Sequence, residues 1–395
     1  MHYAVVIPDG ASDRPIASLG GKTPLEAADM PALTALAREG RMVSALTVPE
    51  GFSPGSDVAC LSVMGFDPAK YYTGRAPLEA AAMGLSLKEG QAVFRANTVT
   101  VADGIMKDYS AGHISTEEAR EVVRFLGERL DLAGVSLHAG VQYRHACILD
   151  NAAGRIGEAT PPHDILDRPI APYLPTGGVA GRLIEIMERT RGLLPDCEAN
   201  RRRIRAGKKP VTQLWLWGGG VMPKLPTYAD RYGIRGGLIS AVDLLKGIAK
   251  LAGIEVVSVP GATGYYDTDY AGKGRAAIEC LARLDLVIVH VEAPDEAGHS
   301  AHLAEKIRAL ENIDRHIIAP LGAWGRKTGD LRMLVMPDHP TPMEIRTHSG
   351  EPVPACLWGA GVAPDEATGF SERAVSSRRP IPAHTLMERL IHGTT

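Results

Sequence analysis

The chain has 395 residues, 45% of them hydrophobic, and a formal net charge of -3. That length holds two or three domains, or one domain with a large insertion, and the charge argues against a broad nucleic-acid footprint. Cys60, Cys147, Cys197, Cys280 and Cys356 are scattered without CxxC spacing, no stretch approaches the ~20 apolar residues of a bilayer span, and no basic leader precedes the first strand-like run. Reduced cytosolic thiols, a cytoplasmic location, and no membrane or nucleic-acid partner are therefore expected.

Tyr3 to Ile7 reads as a first buried strand ending at Pro8-Asp9-Gly10. An Asp at a strand tip suits metal binding in an open α/β sheet, although Asp-Gly is also turn chemistry. Thr23 can cap a helix that has Pro24 at its first position. A second helix, Pro31 to Arg38, stops at Gly40, and a strand Val43 to Val48 follows. Ser53 to Asp57 is a Gly/Pro/Ser loop that opens a helix Val58 to Met64. Ser56 thus falls near a helix N-terminus, where free N–H groups favour anions. Its hydroxyl can cap that helix or, with its pKa lowered by a metal, serve as a nucleophile. Arg75 lies further on as a cation available to an anion.

From about Ser86 the texture changes to short alternating runs, AVFRANTVTV and VSLHAGVQYRHACIL, around a helix opened by the capping pair Ser115 and Glu118. This predicts a smaller α+β module over 87–211, inserted into a main domain formed by 1–86 and 212–395. The module carries polar clusters that contain His113, Arg144, His163, and the run Arg201-Arg202-Arg203. The Arg run is either a solvated helix face or an anion grip, because Arg binds carboxylate and phosphate bidentately.

The main sheet is expected to resume at Gln213 to Trp217. A helix near Ser240 to Leu251, a strand Glu255 to Val259 and a helix Lys273 to Ala282 follow. Two apolar runs, Leu286 to Val289 and Leu334 to Met336, then break into loops rich in metal-type ligands. The first loop holds Glu292, Asp295, Glu296 and His299; the second holds Asp338 and His339, with His348 beyond. Carboxylates mixed with imidazoles suit zinc, manganese or a similar divalent ion. Three His and two Asp exceed what one open tetrahedral site uses. They suit two ions a few Å apart, an arrangement that clamps a phosphoryl group. Alternating strands and helices make the main domain a mostly parallel sheet wrapped by helices, closed by a strand in VPACLWGAG and a terminal helix His384 to His392.

Asp9, Ser56, Asp295-x-x-x-His299, Asp338-His339 and His348 together resemble the alkaline phosphatase superfamily. Within it, LGGKTPLEAA, PGSDVACLSVMGFDP, YYTGRAPLEA, SVPGATGYYDTDYAGKG, VEAPDEAGH and MPDHPTP with RTHSGEPVP resemble the cofactor-independent phosphoglycerate mutases of the shorter, archaeal-type branch. The resemblance implies an alkaline-phosphatase-like α/β fold and two divalent ions (manganese, zinc, cobalt or magnesium). It implies Asp295, His299 and His348 as ligands of one ion, and Asp9, Ser56, Asp338 and His339 as ligands of the other. Ser56 is then also the phosphoryl-accepting nucleophile. The implied reaction moves phosphate between the 3- and 2-hydroxyls of glycerate, in a site closed against water. The small substrate is phosphoglycerate, held by insert residues drawn from His113, Arg144, His163, Arg201, Arg202 and Arg203, in a monomer or homo-oligomer.

Two departures stand out. Ala76 replaces a Gly common in the YTGRAPLEA motif, and DYSAGHISTEEA carries Ser110 and His113 where many archaeal-type members have an Arg-rich stretch. The second variant resembles a bacterial subgroup proposed to include homoserine kinases. A homoserine-type phosphotransferase is therefore an alternative, although the chain has no GxxxxGK[ST] loop for ATP. A metal-dependent phosphomonoesterase is the other.

Overall fold

The structure, a computed structural model, describes residues 1–393. The strands, in chain order, begin with β1 (His2–Pro8) and β2 (Arg41–Leu46). There follow β3 (Ala92–Ala102), β4 (Ile105–Asp108), β5 (Val135–His138), β6 (Arg144–Leu149) and β7 (Gln213–Gly220). The last are β8 (Gly236–Ile239), β9 (Glu255–Val256), β10 (Leu286–Val291), β11 (Leu331–Val335), β12 (Val353–Gly359) and β13 (Ile381–Pro382). The chain divides into two compact units: Met1–Tyr72 with Lys224–Thr395, and Thr73–Pro223.

In the first unit eight strands form one sheet in the order β13-β2-β12-β11-β1-β10-β8-β9. Only β12 runs antiparallel to its neighbours, β11 and β2. β1 sits centrally, parallel to both β10 and β11. It is buried on both faces, as its unbroken apolar run requires. Ala4 and Val6 join one core with Val287, Val289, Met333 and Val335. That core is covered by apolar residues of the helices Pro31–Glu39, Tyr270–Leu281 and Leu303–Ile313, among them Leu36, Ala277 and Leu310. Parallel strands joined through helices bring the carboxyl ends of β1, β10 and β11 to one edge, which is where the site forms.

The second unit is a five-stranded antiparallel sheet in which β3 pairs with β4, β6 and β7, and β5 pairs with β6. Its core gathers Phe94, Ala96, Trp215 and Leu216 with apolar residues of the helices Thr116–Arg129 and Ala180–Leu193. Two expectations are corrected here. Gln213 to Trp217 belongs to this sheet and does not resume the main one, since β7 pairs with β3 from Val93 to Val99. The unit is also wider than 87–211, because the helix Arg75–Ala82 packs Ala76 and Ala80 on Val93, Ala146 and Ile148. A fully buried apolar run reads the same in either sheet, and only its partner strand decides. No described helix is long and apolar enough to cross a membrane.

Candidate metal centre

Four segments of the first unit converge. β1 delivers Asp9, and Gly10 follows with φ +59°, where a Cβ would sit 2.5 Å from Thr341 Oγ1 and 2.6 Å from Asp295 Oδ1. Only glycine lets the chain turn away so close beneath the site. Ser56 is the first residue of the helix Ser56–Val63, whose N-cap, Gly55, supplies no side-chain cap. Beyond β10 the chain forms a short helix Ala293–His299 rather than the loop expected, with Pro294 in its first turn. That helix sets Asp295 and His299 four residues apart on one face. Beyond β11 come Asp338 and His339, with His348 in the following loop.

Two groups result, Asp295, His299 and His348, and Asp9, Asp338 and His339; in each, the potential ligand atoms lie within 4.8 Å of one another. In the first, His299 Nε2 is 3.2 Å from Asp295 Oδ2, His348 Nε2 is 3.5 Å from Asp295 Oδ1, and the two Nε2 atoms are 3.0 Å apart. In the second, His339 Nε2 is 3.3 Å from Asp338 Oδ2, 3.5 Å from Asp9 Oδ1 and 3.1 Å from Ser56 Oγ. The His339 and His348 rings, one from each group, are 4.2 Å apart between centroids.

The donor set fits divalent cations. Asp9 Oδ1 is buried without a hydrogen-bond partner, which costs free energy unless a cation meets it. Burial raises the Asp9 pKa well above the usual carboxylate range, and the charges of Asp338, Asp295 and Glu292 raise it further. A bound cation offsets that repulsion. Burial opposes charge on Asp295, but hydrogen bonds from His299 and His348 hold it well below the usual range. His299 Nδ1 lies 3.0 Å from the Arg346 carbonyl. If Nδ1 carries the proton, that contact leaves Nε2 bare toward Asp295, the tautomer a metal needs.

Around these groups lie buried residues that the sequence did not single out. His290 Nε2 is 2.8 Å from Asp9 Oδ2. Lys306 Nζ is 2.8 Å from Asp13 Oδ2 and donates to the Thr341 carbonyl. Thr341 itself touches members of both groups. A His, Lys or Thr inside an apolar or turn segment gives no periodic signal, and apart from Thr341 with His339, two residues away, these contacts join residues distant in the chain.

The second-unit candidates gather only in part: His163 and Arg144 meet through the Tyr109 and Tyr143 rings, and the three-Arg run stands apart in its bonding. In the helix Glu198–Arg205, exposed Arg201 pairs with Asp196 and exposed Arg202 with Glu121. Arg203 is buried, bonded to Glu118 and to the carbonyls of Ala111 and Lys209, so it ties down the Ser110–His113 turn. The expected three-Arg grip is therefore two surface pairs and one internal strut, because a helix turns successive residues to different sides. His113 is exposed, with φ 49° and its N–H on Ser110 Oγ. His163 meets the Trp217 and Tyr109 rings edge-on. Arg144 lies over the Tyr143 ring at 4.4 Å.

Arg95 and Glu79, which the sequence did not single out, form a charge cluster with Arg75 and Arg144, which it did. Arg95, a charged residue inside a buried strand, lies 4.3 Å over the Trp217 ring, with Nε 2.9 Å from Glu79 Oε2. Arg75 Nε is 2.9 Å from the other Glu79 oxygen. Burial lowers Arg95 to about 10 despite Glu79, and Arg75 and Arg144 add to the lowering. Burial alone would raise Glu79, yet Arg95, Arg75 and Arg144 hold it below the usual range.

Fold and site together define a mixed α/β protein with paired carboxylate–histidine groups past its strand ends and a serine at a helix N-terminus, a set consistent with dependence on divalent metal. The family model described as 2,3-bisphosphoglycerate-independent phosphoglycerate mutase matches residues 37–200. A protein of that name from Methanothrix thermoacetophila is 50% identical over 377 residues, 95% of each chain. The solved PH0037 protein from Pyrococcus horikoshii superimposes with TM-score 0.82 at 29% identity, covering 100% of this chain and 98% of that one. The cofactor-independent phosphoglycerate mutase from Thermoplasma acidophilum gives TM-score 0.66 at 26% identity and 100% coverage of both. The chain belongs to the 2,3-bisphosphoglycerate-independent phosphoglycerate mutase family, a family of isomerases whose substrate is a small phosphorylated molecule.

Proposed function

We propose that this chain interconverts 3-phosphoglycerate and 2-phosphoglycerate through a phosphoserine at Ser56, without 2,3-bisphosphoglycerate. Asp295, His299 and His348 would hold one divalent ion, and Asp9, Ser56, Asp338 and His339 a second, with manganese, zinc, cobalt or magnesium as candidates. When bound, such ions neutralise phosphoryl oxygens and lower the pKa of a coordinated hydroxyl. The observation that carries the reading is the position of Ser56 Oγ, at an uncapped helix N-terminus and 3.1 Å from His339 Nε2. There the backbone N–H groups and the helix dipole favour a phosphoryl anion. Ser56 Oγ bonds phosphorus as the bond to one glycerate oxygen breaks. The phosphoryl group then passes back to the other hydroxyl, and Ser56 is regenerated. Phosphoryl transfer asks mainly for in-line positioning and charge neutralisation.

Substrate recognition is read as the work of the second unit, with the roles weighted by what the side chains do. Arg95 and Arg144 suit the carboxylate of glycerate. Arg201, Arg202 and Arg203 are engaged elsewhere, and His113 and His163 supply polar edges. Buried Arg95 and exposed Arg144 favour an anion-rich acceptor over the ammonium of homoserine, which speaks for the mutase over the homoserine-type alternative.

The test is phosphorus NMR of the metal-loaded protein with 3-phosphoglycerate. A 2-phosphoglycerate signal without free phosphate is expected. Growth of free phosphate alone means a phosphomonoesterase, and no change with any of the four metals overturns the reading. Ser56→Ala should remove turnover while leaving the fold intact, and a variant that keeps most activity excludes the covalent route.

A further inference from the structure

Thr341 stands two residues beyond His339 and is fully buried. Its hydroxyl donates to Asp295 Oδ1 and lies 3.3 Å from His339 Nδ1. Asp295 belongs to one carboxylate–histidine group and His339 to the other. A hydroxyl has a single proton. With that proton on Asp295, only the oxygen lone pairs face His339, so His339 must bring the N–H on Nδ1. Its Nε2 is then bare, and Nε2 is the atom that faces Asp338, Asp9 and Ser56. One oxygen atom thus orients a carboxylate in the first group and selects the imidazole tautomer in the second.

Thr341 has little freedom to do anything else. Its N–H donates to the Ser12 carbonyl at 3.1 Å, and its own carbonyl accepts from Lys306 Nζ at 2.9 Å. Lys306 is fixed in turn by Asp13, which also accepts from the Met343 N–H. Gly298 packs so closely that a Cβ there would come within 2.6 Å of the Thr341 carbonyl oxygen. By contrast, the bond from His299 to the Arg346 carbonyl orients a ligand inside its own group only.

We infer that Thr341 is a positioning residue that couples the two groups, so that filling either one presets the ligand geometry of the other and two divalent ions load cooperatively. Outer hydrogen bonds of this kind set ligand tautomer and orientation, and a coupling of two sites acts equally in both directions. The inference rests on both groups being metal sites, as read above, and is independent of which phosphorylated substrate is used.

The experiment is a cobalt titration of the metal-free full-length protein, followed by calorimetry and visible absorption, on wild type, Thr341→Val and Thr341→Ser. Wild type is expected to take two ions per chain with the second bound at least as tightly as the first. Valine keeps the shape and removes the hydroxyl, so loading should become stepwise, with the weaker site about 10- to 100-fold below its wild-type affinity. Serine should restore cooperative loading, a result that general loss of packing would not give. Asp295→Asn supplies a second arm that needs no change at Thr341. It should weaken cobalt binding at the remaining group in wild type, and add nothing further in the Thr341→Val background. Independent loading of two ions in wild type, or unchanged stepwise constants in Thr341→Val, overturns the coupling while leaving the metal sites standing. Failure of wild type to bind any cobalt overturns the metal reading and the coupling together.

Discussion

His290 Nε2 stands 2.8 Å from Asp9 Oδ2, and the other ring nitrogen of His290 stands 3.1 Å from Ser240 Oγ. All three side chains are buried. Burial drives the His290 pKa down to about 3, so the ring is neutral with one N–H to give. With Asp9 ionised, as a metal ligand is, its carboxylate only accepts, so that N–H is on Nε2, and Ser240 donates to Nδ1. His290→Phe removes the donor that aims the Asp9 carboxylate. Divalent-metal affinity of the Asp9, Asp338 and His339 group should fall about 10- to 100-fold, read as metal retained after dialysis, with the far-ultraviolet circular dichroism unchanged. Ser240→Ala should move it the same way by less. Full metal retention in His290→Phe would remove this residue from the site.

Removing metal should also cost stability. Asp9, Asp338 and Asp295 are buried together, and no described hydrogen bond meets Asp9 Oδ1. Treatment with a chelator should lower the thermal midpoint, and added divalent ion should restore it in a concentration-dependent way. At free metal near 100 times its dissociation constant, the gain is about 2.7 kcal/mol. Scanning calorimetry across a metal series checks this; a midpoint insensitive to every divalent ion would count against both groups.

The Lys306–Asp13 pair is a buried ion pair at 2.8 Å. Burial lowers the Lys306 pKa although Asp13 opposes the shift. Lys306→Met strands a buried carboxylate and should destabilise by about 3–5 kcal/mol in urea unfolding. Lys306→Met combined with Asp13→Leu removes both charges and should recover part of that loss. A single variant as stable as wild type would mean that Asp13 finds another partner or water.

A pH-dependent contribution is expected at Asp108. Burial works against its charge, but Lys209, the Ser110 hydroxyl and the Ser110 and Gly112 amides pull its pKa down to about 2. A carboxylate depressed in the folded state stabilises fully above its unfolded pKa, near 3.9, and loses that contribution as pH falls toward the folded value. The gap in urea midpoint between wild type and Asp108→Asn should be full at pH 7 and should narrow progressively below pH 4. A gap that does not depend on pH would assign Asp108 a packing role only.

The sequence speaks most clearly where chemistry and chain position coincide. Asp9, Asp295, Asp338 and His339 follow apolar runs closely enough for a strand end to be read beside each. His299 and His348 complete a set whose groups the structure then assembles. Capping was legible too: Ser115 and Glu118 form both halves of the expected capping box, and Thr23 caps its helix as expected, with Glu26 adding a return bond that was not read. What stayed hidden depends on partners far along the chain. Lys306 needs Asp13, Arg203 needs Glu118 and Ala111, and β7 needs β3. Arg203 looked like a ligand grip because its neighbours are Arg, yet its side chain is 1% exposed and Arg201's is 48%. Local pattern carries no information on which of three adjacent guanidiniums points inward.

The central place of β1 has a consequence for how the molecule comes into being. Its two neighbours, β10 and β11, lie nearly three hundred residues or more downstream, with registers Tyr3↔Leu286 and Tyr3↔Arg332. During synthesis the first strand made is therefore among the last to be paired, while residues 73–223 form a complete unit in the meantime. Until then both edges of an apolar strand are open to other chains. A truncation that ends before β11 leaves one edge permanently open, and it should aggregate rather than persist as a smaller folded protein. The high sequence separation of these contacts also makes the first unit the slow step of refolding.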